Sequence, residues 1–395
     1  MTQRLTRDQL LRRGAAGASI LTIPGLLAAC GGSGSKTTPG TSTGKQQLAK
    51  TLRFSNWTLY MDTNQKNHTF PSLDEFEKKF GVHVDYMEDI NDNATFGAKI
   101  EPLLARGQSI DRDMIVMTDN SKWPSLLVEK GWVEKLDKSA IPNIKNLVKV
   151  QRHPAWDPNR DYSLPWQSGI VGIAYNDTLT GPVLTIDDLL GNPKLKGKIT
   201  VLNEMADCMC SVMLSNGDDP THVTDATFNR ALDRLQKAKD SGQIRQFTGN
   251  DYAPPLARGD LAAAMSWSGD IPQLGPQQQT HLHWNIAKEG GNIWTDNMLI
   301  PNGGDAYTAS VYMNYVYDPK VQGPMVGGNP KKNITGIYYI TPVIGAKEAA
   351  LKTNPAVANN PLIFPTQQML DNVYLFDPKA LTNQKYEEAW NNLAF

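Results

Sequence analysis

At 395 residues the chain is long enough to bury a sizeable core, and its length favours two domains over one. Its 39 Lys and Arg nearly cancel its 40 Asp and Glu, so there is no global basic field to hold a polyanion, and no nucleic-acid partner is expected. Three cysteines, a lone Cys30 and the close pair Cys208 and Cys210, are too few for a disulfide-stapled framework or a four-thiolate zinc site.

The chain opens with Arg4, Arg7, Arg12 and Arg13, followed by an uncharged stretch over residues 14–29. That stretch is short of the roughly 20 apolar residues a membrane-spanning helix needs. It ends in Leu27-Ala28-Ala29-Cys30-Gly31, which resembles the bacterial lipobox, whose cysteine is acylated and becomes the mature N-terminus. Residues 1–30 therefore read as a lipoprotein signal peptide with Cys30 as the lipidation site. Thr6-Arg7-Asp8-Gln9-Leu10-Leu11 resembles a twin-arginine export signal with Asp8 in place of the second arginine, and Sec export is an equal candidate. Residues 31–50, rich in Gly, Ser and Thr with nothing to bury, read as a flexible tether. The Gly40-to-Lys45 run falls short of a phosphate-binding loop, because its glycines are one residue too close and Gln46 stands where Ser or Thr is needed.

Beyond the tether the pattern is strand, helix, strand, helix. Residues 52–57 are a predicted strand, and Ser72 with Glu75 has the spacing of a capping box that opens a helix carrying Phe76 and Phe80 on one face, ended by Gly81. Val82, Val84 and Tyr86 alternate as a strand; a helix follows over residues 95–106, then a buried strand over 114–117. Such alternation implies parallel β-α-β units, in which ligands sit beyond the carboxyl ends of the strands. Trp57, Thr118, Asp119 and Asn120 occupy such positions. A second unit takes strands at 170–175 and 198–202, a short helix at 185–190 and a helix at 225–239 whose Phe228, Ala231, Leu232, Leu235 and Ala238 share a core face. Residues 261–267 and 292–294 are further predicted strands, and helices are predicted at 306–315 and 342–352. The last fifty residues, Trp390 among them, receive no role.

Sequence signatures of catalysis are missing: there is no His-Glu-x-x-His, no Gly-x-Ser-x-Gly and no glycine-rich fingerprint after a strand. His281 and His283 lack a third ligand and read as a surface pair, and Cys208 and Cys210 read as small buried apolar residues. No cofactor or metal is expected. What recurs instead at strand ends is tryptophan with carboxylate: Trp57, then Glu204 with Asp207, then Trp267, then Trp294 with Asp296. Taken singly, such a tryptophan is usually core and such an acid usually caps a helix. Glu204 and Asp207, three apart, share one side of a helical turn; they suit either a clasp on an ammonium group or the backbone N–H groups of the helix entry.

Leu52-Arg53-Phe54-Ser55-Asn56-Trp57-Thr58, Leu164-Pro165-Trp166 with Gly172-Ile173-Ala174-Tyr175-Asn176, Trp267-Ser268-Gly269, Lys288-Glu289-Gly290-Gly291-Asn292-Ile293-Trp294-Thr295-Asp296 and Asn314-Tyr315-Val316-Tyr317-Asp318-Pro319 follow one another in the order of a known family. Over roughly residues 50–345 the chain resembles the spermidine/putrescine-binding proteins of ABC importers, within the extracellular solute-binding proteins. The resemblance implies an α/β fold of two lobes with mixed sheets, of the type II periplasmic-binding-protein kind, with the ligand cleft between lobes. It places lobe 1 at residues 51–165 plus 296–365 and lobe 2 at 166–295 plus 366–395, crossing near residues 165 and 295. It implies that Trp57 and Thr58 form a groove wall, that Glu204 and Asp207 face an amine, that Trp267, Trp294 and Asp296 form the aromatic platform and central acid, and that Tyr339 lies on the second hinge side. Thr118 keeps the family's hydroxyl, whereas Asn120 stands where a tyrosine usually lines the groove, with Asp119 an added acid beside it.

The implied function is capture of a polyamine, putrescine or spermidine, outside the cytoplasm and delivery to an ABC permease. The implied protein is a monomer, no enzyme, and held to the outer face of the membrane through its lipid alone. Rivals on the same residues are another small solute such as an amino acid, a sugar or an opine-like cation, a secreted hydrolase using Glu204 and Asp296, and a surface adhesin. A carboxylate-bearing solute would need a groove arginine, and the nearest, Arg53 and Arg245, sit in predicted strands.

Overall fold

The computed structural model describes residues 46–274 and 281–395; the signal peptide, Cys30 and most of the tether lie outside the described residues. The first β-α-β run comprises β1 (Thr51–Trp57), α1 (Pro71–Phe80), β2 (His83–Ile90), α2 (Asn93–Leu104), β3 (Met114–Thr118) and α3 (Trp123–Glu129). Pro71 starts α1, where its missing N–H costs nothing, and Gly81 ends it at φ 68°, a left-handed conformation that glycine adopts without a side-chain penalty. The predicted capping box does not form. Phe70 takes the cap position, and Ser72 donates both its backbone N–H and its hydroxyl to the buried Asp62 instead.

A second run follows. It holds the long strand β4 (Ser163–Asn176), α4 (Ile186–Gly191), β5 (Ile199–Leu202), α5 (Met205–Ser215), α6 (Asp225–Asp240), β6 (Ile244–Thr248), β7 (Ala263–Trp267) and β8 (Leu282–Asn285). The chain then returns through β9 (Gly291–Leu299) to α7 (Ala306–Val316), α8 (Pro319–Gly327) and α9 (Ala346–Thr353). It closes with the two-residue β10 (Val373–Tyr374) and α10 (Gln384–Ala394). The helix predicted from residue 342 starts at Ala346, because Gly345 in the left-handed region precedes its first turn.

The strands hydrogen-bond in the order β2-β1-β3-β9-β4-β7-β5-β6, with β8 beside β4 and β10 beside β9. In one half β2, β1 and β3 are parallel with β9 antiparallel to them; in the other β7, β5 and β6 are parallel with β4 antiparallel. The fold is thus the expected α/β with a mixed sheet in each lobe. β4 and β9 pair with each other and join the halves: β4 meets β9 over Ser163 to Ile170, then β7 over Val171 to Tyr175. Because the parallel strands of both halves end towards this junction, the residues after β1, β3, β5 and β7 collect there.

Aromatic and aliphatic side chains fill both halves. Phe54 of β1 packs on Tyr312 of α7 with ring centres 5.5 Å apart, and Tyr312 lies 5.0 Å from Phe76 of α1. In the second half α6 buries Phe228, Ala231 and Leu235, and α5 buries Met209 and Val212. Cys208 and Cys210 are free and fully buried, and burial raises both thiols well above their ordinary range, so they behave as apolar filling. His281 and His283 both turn to Asp177 at the surface, 3.4 and 2.7 Å away. Among the described residues no helix is long and apolar enough to cross a membrane.

Candidate functional site

The junction encloses a cavity with about 320 Å³ of space unfilled by protein atoms, part of it continuous with solvent. Ten of the eleven predicted residues line it: Trp57, Thr58, Thr118 and Asn120 from the first half, Glu204, Asp207 and Trp267 from the second, and Trp294, Asp296 and Tyr339 from the crossing segments. The eleventh, Asp119, does not. In a strand end successive side chains point to opposite sides. Asp119 turns away from the cavity and accepts the Thr295 N–H at 2.9 Å, tying β3 to β9, while Asn120 faces in. Three residues missed by the sequence reading complete the lining: Tyr60, Asn250 and Asp270.

Four buried acids define the electrostatics. Asp296, in mid-β9 opposite Thr118, accepts the hydroxyls of Thr118 at 2.6 Å and Tyr60 at 2.5 Å. Asp207, in the first turn of α5, accepts Trp267 Nε1 at 2.7 Å, Asn292 Nδ2 at 2.8 Å and Asn120 Nδ2. Glu204, at the residue before α5, takes the backbone N–H and the side-chain amide of Asn93 at 2.5 and 2.9 Å, both on Oε1. Asp270, three residues past Trp267, accepts the hydroxyls of Tyr252 and Tyr339, each at 2.6 Å, and Asn250 Nδ2 at 2.9 Å.

Burial raises all four carboxyls, Glu204 to about 8, Asp296 to about 7, and Asp207 and Asp270 to about 6. For Glu204 the neighbouring charges of Asp92 and Asp207 add to burial, and for Asp296 those of Asp119 and Asp207 do; hydrogen-bond donors hold all four lower than burial alone would. Among the described residues, no Lys, Arg or His lines the cavity to neutralise them. Arg53 is engaged with Asp113 and Asp111, and Arg245 donates to the Asp260 carbonyl at 3.1 Å, so neither predicted arginine reaches the site.

Aromatic rings form the rest of the wall. Trp57 and Trp267, from opposite halves, meet edge to face at 5.8 Å, and Trp57 Nε1 is held by the Val116 carbonyl at 3.1 Å. Tyr339 bridges Tyr60 at 4.9 Å and Trp294 at 5.6 Å. Two glycines make room for this layer: a Cβ on Gly169 of β4 would lie 2.3 Å from the Trp294 ring, and one on Gly269 2.3 Å from Tyr339. The arrangement is a ring-lined slot with an excess of negative charge and hydrogen-bond acceptors, complementary to a slender cation.

The sequence model for "Bacterial extracellular solute-binding protein" matches residues 72–359. Similar curated proteins include Spermidine/putrescine-binding periplasmic protein 1 of Haemophilus influenzae, 26% identical over 352 residues that cover 88% of this chain and 92% of that one. The Putrescine-binding periplasmic protein SpuD of Pseudomonas aeruginosa is 25% identical over 382 residues, covering 90% and 96%. Among solved structures, the TpPotD lipoprotein of Treponema pallidum superposes with a TM-score of 0.68 at 20% identity, covering 87% of this chain and 99% of that one, a likeness of fold. With a match spanning most of its length, the chain belongs to the bacterial extracellular solute-binding protein family.

Proposed function

We propose that the junction cavity captures a polyamine, putrescine or spermidine, and that the protein hands it to an ABC permease. The observation that carries this reading is the lining itself: four carboxyl groups and a layer of indole and phenol rings, with no basic side chain among them. An ammonium group offers donors and no acceptor, and the methylenes between ammoniums match ring faces. A desolvated cation over a tryptophan face gains on the order of 2 kcal/mol, and a hydrogen bond to a charged partner about 1.5 to 3 kcal/mol. Three or four such contacts outweigh the cost of stripping water from the ammoniums. The relatives named for spermidine and putrescine support the same ligand class, and the lack of a cavity arginine speaks against a carboxylate-bearing solute. Membership of a family of binding proteins supports capture without catalysis. In this reading Trp57, Thr58, Thr118, Asn120, Glu204, Asp207, Trp267, Trp294, Asp296 and Tyr339 contact the ligand, Cys30 anchors a monomer to the outer face of the membrane, and the lobes close on the ligand about β4 and β9.

Calorimetry of the full chain with putrescine, spermidine and spermine tests the reading. Binding is expected for at least one of them, weakened about 10- to 100-fold by Asp296→Asn, the loss of one charge-assisted contact. No heat and no thermal shift with any of the three would end the polyamine claim.

A further inference from the structure

The two halves also touch outside the slot. A Cβ on Gly249, which follows β6 in the second half, would lie 2.1 Å from the backbone carbonyl oxygen of Asn91, which follows β2 in the first, so the two chains meet there at backbone contact. The C-terminal end of α10 borders this point, since Ala394 shares an open groove with Asn91 and Gly249. At the other end of α10 the Glu387 carboxylate meets the Lys122 ammonium, which stands at the residue before α3.

The two partners of that ion pair are fixed to different halves. Tyr386, next to Glu387, stacks on Phe228 of α6 with ring centres 4.1 Å apart and donates its hydroxyl to Asp225 at 2.7 Å. Trp390 donates Nε1 to the Asn203 carbonyl at the end of β5, at 2.9 Å. Lys122 follows β3 by four residues and belongs to the first half. The two side chains are 27% and 30% exposed, so the attraction is less screened than that of a fully exposed pair. The groove around them is acidic: Glu101 and Glu129 from the first half and Glu388 from the second line it, and Lys122 is the one cation among its lining residues. Without Lys122, acids of the two halves would face each other across the seam. Neither Lys122 nor Glu387 lines the slot.

We propose that α10 is a strap carried by the second half and that the Lys122–Glu387 pair is the latch that sets how long the closed slot holds its polyamine. The proposal rests on the polyamine reading and on hinge closure, and deepens both to the rate of release. The pair exists only while the halves are together, so it stabilises the closed form without touching ligand. A polyamine enters the open form before the latch is made, and leaves only after it is broken.

Stopped-flow tryptophan fluorescence on the full chain separates association from release. The variants are Lys122→Met, Glu387→Gln, the two together, and the exchanged pair Lys122→Glu with Glu387→Lys; thermal melts report that each is folded. Lys122→Met is expected to speed release about two- to fivefold, the size of one ion pair of this kind, by the same factor for every amine that binds and with association unchanged. Glu387→Gln speeds release in the wild-type background and adds nothing once Lys122 is gone, and the exchanged pair restores slow release. Release at the wild-type rate in Lys122→Met, a change in association instead, an effect of Glu387→Gln that is as large without Lys122 as with it, or an exchanged pair as fast as Lys122→Met would overturn the latch and leave the polyamine reading intact. A wild-type protein that binds none of putrescine, spermidine and spermine overturns both.

Discussion

Single positions carry the charge argument. Asp119 and Asn120 are neighbours at the end of β3, yet one ties β3 to β9 and the other faces the cavity. Both are polar and both follow a strand, so local pattern treats them alike; only the side of the strand end separates them. Asp270 repeats the arrangement of Asp207, an acid that enters a short helix after a strand, and that recurrence three residues past Trp267 was the signal available for it. Tyr60 and Asn250 carried no such mark. The raised carboxyls have a consequence for pH. In the unfolded chain these acids titrate near 4, and in the folded protein near 6 to 8, so the folded state binds more protons across that window. Their contribution to stability is therefore full below about pH 4 and is lost as pH rises through 6 to 8. Binding a cation needs the ionised forms and moves the other way. The ligand-free protein is expected to melt at a lower temperature at pH 8 than at pH 6, while the thermal shift on adding putrescine grows over the same range. A thermal-shift series at several pH values checks this, and a ligand-induced shift independent of pH would contradict it.

At the scale of elements, β4 and β9 join the two halves, and the sequence reading cut both of them short. Expected as 170–175 and 292–294, they run Ser163–Asn176 and Gly291–Leu299. The parts not anticipated contain Pro165, Gln167, Ser168, Asp296 and Asn297, all wholly or almost wholly buried. Hydrophobic period cannot reveal a strand whose buried side chains are polar, and these are polar because they face one another and the site, not an apolar layer. A register shift between Thr295 and Asn297, opposite Pro165 with its missing N–H, marks the place where the ladder yields. The glycine at the crossing is equally constrained. Gly169→Ala would push a methyl into the ring of Trp294, where a Cβ has only 2.3 Å, and must displace the aromatic wall into the slot. A loss of about 1 to 3 kcal/mol in stability is expected, with polyamine affinity falling together with it. Chemical denaturation and calorimetry on the same variant measure both; unchanged affinity would show that Trp294 is not part of the binding wall.

Across the whole molecule, the two halves meet through contacts that need no ligand: Asn93 with Glu204, Asn120 with Asp207, Trp57 with Trp267, and Lys122 with Glu387 of the C-terminal helix. That helix rides on the second half, with Tyr386 stacked on Phe228 at 4.1 Å and Trp390 anchored at the end of β5. Glu204 and Asp207 need ionisation to grip a cation and are costly to bury ionised without one, so the proposed closure should favour the ligand-bound form. Small-angle scattering is expected to give a smaller radius of gyration with saturating polyamine than without it. Identical curves would remove hinge closure from the account.

Alternation of strands and helices, the glycine stop at Gly81, and the placing of Trp57, Glu204, Asp207 and Trp267 at or just past strand ends followed from the sequence alone, whereas Trp294 and Asp296, expected at a strand end, lie within β9. Each depends on residues a few positions apart, and period and turn chemistry act over that range. The facing of Asp119 away from the slot, the entry of Tyr60 and Asp270 into it, and the full length of β4 and β9 were decided by tertiary structure. They arise from partners such as Tyr60 and Asp296 or Asn203 and Trp390, far apart along the chain and adjacent only once both halves have folded around their shared strands.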